Sequence, residues 1–150
     1  GRCLRIRAFG AYGTTATPTL TFSVRWGGVA GTVIAKSTAV TTTSAVGGGA
    51  SMTAPWSAEI LIQTRTNGAT GTLMTNGEVI LFTSTAGTAG TVTNYGMPMP
   101  ICSGSTGGTT PVAVTADLTA DTALSFTATW GTANSANSIQ GLNYTIESIN

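Results

Sequence analysis

The chain has 150 residues, six basic and five acidic side chains, no histidine and a formal net charge of +1. Its charged share is 7%, against roughly 25% for a usual domain, which argues against a phosphate-binding basic surface. The length suits one domain (1–150) with a real core, and no run reaches the roughly 18 apolar residues of a membrane span.

Residues 3–12 alternate, with Leu4, Ile6 and Ala8 on one face and Arg5, Arg7 and Phe9 on the other. Successive side chains of a strand point to opposite faces, so this period of two predicts a strand with one face toward a core. Residues 13–18 read as a turn. Residues 19–26 form a second strand, Leu20, Phe22, Val24 and Trp26 inward, ended by Gly27 and Gly28. Residues 32–35 and the hydroxyl-rich 37–44 predict two shorter strands. Residues 46–54 carry Gly47, Gly48 and Gly49 and read as a loop.

The longest strand pair is 56–83. Trp56, Ala58, Ile60 and Ile62 share one face, Asn67 and Gly68 supply a tight turn, and residues 71–83 return. On the return strand Leu73, Val79 and Leu81 alternate with Met74, Ile80 and Phe82, so both faces are apolar near 79–82. That pattern predicts a core on one side and a second chain on the other. Met97 and Met99 stand beside Pro98 and Pro100, and a stretch with two prolines is expected to stay out of a central strand. The candidate subunit interface is therefore Met74, Ile80, Phe82, Met97 and Met99. Residues 103–110 read as loop, 111–115 as a short strand, and 116–121 as a turn held by Asp117 and Asp121. Residues 122–130 alternate again, Leu124, Phe126, Ala128 and Trp130 against Ser125, Thr127 and Thr129. After a polar turn at 131–137, residues 138–149 close the chain with Leu142, Tyr144 and Ile146 on one face.

No segment has helical period. Short strands with regular turn signals predict an all-β fold, a jelly-roll-like antiparallel β-sandwich of about eight strands. Low charge and high β-propensity expose a free monomer to edge association, which favours a built assembly.

A chain without histidine has no Ser-His or Cys-His nucleophile. Glu59, Glu78, Asp117, Asp121 and Glu147 carry no glycosidase signature, and no glycine cluster sits between a strand and a helix as a phosphate loop would. Cys3 and Cys102 lie far apart, outside any metal-ligand spacing, and read as two small thiols. Trp26, Trp56 and Trp130 end apolar strand faces, where core or rim packing outweighs a sugar platform. The expectation is no enzyme, no cofactor and no metal.

PTLTFSVRWGG (18–28) with GTVIA (31–35), APWSAEILIQTRTNGATGT (54–72) and LSFTATWGTANSANSIQGLNYTIE (124–147) resemble a family of small all-β virion proteins of tailed bacteriophages and prophages. The resemblance implies a jelly-roll domain that forms homotrimers and serves as a capsid decoration protein, a head fibre or a tail-fibre domain. It implies location in the virion, on the capsid exterior or the tail, with the major capsid protein as partner. The alternative it carries is a receptor-binding tail-fibre domain that meets a host surface glycan through loops containing Gly47, Gly48, Gly49, Asn134 and Asn137. It also implies one or two strands ahead of GRCLRIR, so the chain is expected to be a shorter member or one whose first strands precede Gly1.

Overall fold

The computed structural model describes residues 1–14, 17–42, 52–83, 95–107 and 110–149. Among these the chain is all-β, with ten strands: β1 (Cys3–Gly13), β2 (Thr19–Trp26), β3 (Thr32–Ser37), β4 (Val40–Thr41), β5 (Ala54–Thr66), β6 (Gly71–Thr83), β7 (Tyr95–Ser103), β8 (Val114–Ala116), β9 (Leu124–Trp130) and β10 (Ser138–Ser148). Most expected strands are present; of the expected strand 37–44 only Ser37 and Val40–Thr41 are strand, residues 43–44 lying outside the described ones, and the expected strand 111–115 is strand only from Val114.

Every pairing is antiparallel. The main path runs β10-β1-β5-β6-β7-β3-β2, with β9 paired to β2 on the edge that β3 and β4 leave free. β8 extends the β7 side of β6 at Gly71–Leu73. The sheet curls until β1, β5 and β6 face β2, β3 and β9, giving a sandwich-like fold. Phe22 of β2 meets Trp56 of β5 at 5.7 Å between ring centroids and stacks on Phe126 of β9 at 5.5 Å.

The period-two reading explains which side chains fill the interior. Ile6, Leu20, Phe22, Val24, Ile60, Ile62, Leu73, Val79 and Leu81 are all at most 2% exposed. At roughly 1.5–3 kcal/mol for each large apolar side chain taken out of water, this row supplies most of what holds the fold. The β5–β6 hairpin turns at Gly68, whose φ of 108° only glycine adopts without strain.

Tyr12 and Ser37 are buried polar side chains of the core that have partners, whereas the Thr75 hydroxyl, 1% exposed, has none among the described residues. Tyr12 is fully buried and its phenol donates to the Phe82 carbonyl oxygen at 3.1 Å; burial raises its pKa and keeps that proton in place. Ser37 is also fully buried. Its hydroxyl accepts the Phe22 backbone N–H at 3.0 Å and donates to the Thr38 carbonyl at 2.9 Å. Ser37→Ala would leave that N–H without its acceptor, so urea unfolding should show a loss of about 1–3 kcal/mol.

Two expectations are corrected here. Residues 96–100 do form a strand: β7 pairs with β6 from Tyr95 to Cys102. The prolines are tolerated because β3 pairs only with Ile101, Cys102 and Ser103. At Pro98 and Pro100 β7 thus has a strand on one side only among the described residues, where a missing N–H costs no ladder bond. Second, Met99 is 2% exposed and packs inward beside Val79, so it belongs to the core and not to an exposed interface.

Candidate docking surfaces

The curled sheet leaves two strands at its ends, and the candidate site lies between them. β9 pairs only with β2, and β10 pairs only with β1, among the described residues. Between their outer edges lies a cleft of about 550 Å³. Its floor is Phe22, Trp56 and Ala8; Leu124, Phe126 and Ala128 form one wall, and Ile139, Leu142 and Tyr144 the other. No charged residue lines it.

β10 brings its apolar row to this seam through its register with β1. Ile146 stands opposite Ile6 and Tyr144 opposite Ala8, so both share the face that is core elsewhere in the sheet. The register slips between Phe9 and Gly10, which makes Leu142 the extra residue of a bulge. Yet Leu142 is 61% exposed, Tyr144 46% and Ile146 43%. β1 beneath them is covered by the opposite sheet, and β10 overhangs it. The row was legible as one apolar face, but its exposure was not, since that depends on β10 being the last strand of the sheet.

The outer face of β1, β5 and β6 is a second surface. Arg7 Nε donates to Glu59 Oε2 at 3.3 Å, while Arg5 lies 3.9 Å from Glu59 and 3.7 Å from Glu147. These groups are about half exposed apart from Arg5, so each pair is worth about 0–1 kcal/mol. Glu78 stands directly opposite Glu59. Both carboxylates are exposed on the face of the sheet, in a shallow depression shared with Arg7, Phe9 and Ile80.

Of the interface residues expected from sequence, Met74, Ile80 and Phe82 are half-buried on this outer face. Ile80 and Phe82 fold over Gly96, where a Cβ would sit 3.0 Å and 3.2 Å from their carbons. Met97 is 37% exposed at the other face of β7. The five residues therefore do not form one patch. Gly47, Gly48 and Gly49 lie outside the described residues. Asn134 and Asn137 are brought together, but their amides are used within their own turn: Asn134 Oδ1 accepts the Ala136 N–H at 2.9 Å, and Asn137 Nδ2 donates to the Thr132 carbonyl at 3.1 Å.

Cys3 on β1 and Cys102 on β7 are separated by β5 and β6, about 14 Å at the usual strand spacing and beyond disulfide reach. Trp26 Nε1 donates to the Asp117 carbonyl at 2.9 Å and Trp56 Nε1 to the Gln140 carbonyl at 3.1 Å, as rim and core tryptophans do. Among the described residues no three His, Cys, Asp or Glu side chains gather as metal ligands.

Asp117 instead holds its turn. Its Oδ1 accepts the Thr119 hydroxyl at 2.6 Å and the Thr119 N–H at 2.9 Å, and these two bonds lower its pKa. A carboxyl held below its unfolded pKa favours the folded state above that unfolded value, and the contribution fades as pH falls through the folded value. Thr119→Val should move the Asp117 titration upward, toward the ordinary 3.8, in a carbon-detected NMR titration. No family model, curated protein or solved structure matches the chain.

Proposed function

We propose that this chain is a structural protein of a tailed-bacteriophage virion, acting as a homotrimeric decoration or accessory protein of the capsid. The observation that carries the reading is the row Leu142, Tyr144 and Ile146, exposed on an edge that is unpaired among the described residues, in a chain with few charges to keep it apart from its neighbours. A chain that works alone gains nothing from such an edge, while a chain that works in an assembly buries it. The resemblance of segments 18–28, 31–35, 54–72 and 124–147 to virion proteins supplies the place of that assembly.

The mechanism is physical. Copies bury apolar faces against one another and against the shell, and the outer faces, which carry hydroxyls and a few exposed ion pairs, form polar contacts that tie neighbouring capsomers. No reaction is assigned. The tail-fibre reading asks loop amides to meet a glycan, and the Asn134 and Asn137 amides already serve their own turn.

Quantitative protein staining of purified particles tests the reading. A copy number comparable to that of the major capsid protein is expected. A copy number matching only the tail components would overturn the capsid assignment.

A further inference from the structure

We infer that the outer edge of β9 in one copy pairs antiparallel with the outer edge of β10 in the next, so that three copies close a ring around their open seams. The inference rests on the trimeric reading above and names the surface that reading leaves open.

Four observations select a second copy as the occupant of the seam. The first is direction. All steps of the path from β10 to β9 are antiparallel, and the path holds eight positions, so its two end strands run in opposite senses. Rotation about an axis along the strands therefore brings β9 of one copy beside β10 of the next in the antiparallel sense. Each copy carries both halves of the contact, and a closed ring leaves neither edge open.

The second is side-chain fit. Of the registers that keep the apolar faces of the two strands on one side, the longest uninterrupted ladder sets residues 124–129 against residues 143–148. It is bounded by the bulge at Leu142 and by Ala123, whose carbonyl already accepts from Gly27 and Gly28. This register places Phe126 opposite Ile146 and the small Ala128 opposite the large Tyr144, on the face continuous with the core. On the other face Thr127 meets Thr145, Thr129 meets Asn143 and Ser125 meets Glu147, a hydroxyl beside a carboxylate.

The third is charge. The seam is uncharged, β9 carries no charged residue, and the one charge on β10 is Glu147, so no like charges meet. The fourth is the absence of protection. Exposed edges are commonly guarded by lysine, proline or an inward charge, and the sequences LSFTATW and SIQGLNYTIES contain none of these. A single bulge is the one irregularity.

Two experiments on the whole chain test this. In a Cys3→Ser, Cys102→Ser background, the double variant Thr127→Cys, Thr145→Cys places thiols opposite each other in neighbouring copies. Mild oxidation is expected to give a covalent trimer on a denaturing gel, while either single variant stays monomeric. Separately, Tyr144→Asp alters a side chain that is 46% exposed in one copy, so the fold read by circular dichroism should stay. The mass from light scattering should fall threefold.

If the unaltered protein has the mass of three chains but neither experiment gives these results, the paired edges are wrong and the trimer stands. If the unaltered protein has the mass of one chain, the trimeric reading falls, and the inference with it. A covalent series ending at two chains overturns the count of three.

Discussion

Trp56→Ala is expected to remove a large share of the domain's stability. Trp56 is 5% exposed and lies 5.7 Å from the Phe22 ring and 5.9 Å from the Phe126 ring. Its indole N–H also holds the Gln140 carbonyl, so one side chain on β5 joins β2, β9 and β10. Removing it combines lost burial with a cavity that three strands must collapse around, a cost of about 3–5 kcal/mol. Domains of this size have about 5–15 kcal/mol in total. The midpoint of thermal unfolding should fall by about 10 °C or more. Trp56→Phe keeps most of the ring and loses the hydrogen bond, and should cost much less. If the two variants unfold alike, the indole N–H contact dominates and the packing account of the seam floor is wrong.

Gly10→Ala is expected to loosen β10 from β1 while sparing the rest of the core. A Cβ at Gly10 would overlap the carbonyl oxygen of Gln140 and come within 2.8 Å of the Trp56 indole nitrogen. Both are the partners of the Trp56–Gln140 hydrogen bond. Backbone has no rotamer to escape into, so β10 must move at its bulge. Overpacking of this kind costs about 1–3 kcal/mol, and here the hydrogen bond is lost besides. Amide exchange should speed up in β10 more than in β5 or β6. Uniform acceleration across all strands would show instead that Gly10 supports global stability and not the local attachment of β10.

Local pattern made much of this legible. The alternation of 19–26 and, with Leu61 as its one exception, of 56–62 places Leu20, Phe22, Val24, Trp56, Ile60 and Ile62 inside, because a strand has only two faces and one must be apolar. The turn at Asn67 and Gly68 was legible for the same local reason. The order of the strands was not. β1 and β10 come from opposite ends of the chain, and nothing within either segment names the other. Hence Leu142, Tyr144 and Ile146 look in sequence like any inward row, and only the sheet order shows that they overhang an edge. Pro98 and Pro100 misled for a related reason: proline forbids a donor on one side of a strand, and whether that side has a neighbour is a fact of topology. Met99 followed, as a strand residue alternating with its prolines.

The outer face and the seam divide the molecule's options. On the outer face Arg5, Arg7, Glu59 and Glu147 form exposed pairs that water and salt screen. At the seam the outer edges of β9 and β10 meet no further strand among the described residues and lie beside apolar side chains, a surface that another strand satisfies best. Closing three seams on one another would merge three small cores into a larger one, which suits a domain carrying so few charged residues.

Amide hydrogen exchange of the whole protein, compared between dilute and concentrated solution, tests this most directly. The account predicts that residues 124–129 and 143–148 gain protection together on assembly, while the outer face of β5 and β6 changes little. Exchange at those two edges that stays as fast in the assembled protein as in the dilute one would contradict it.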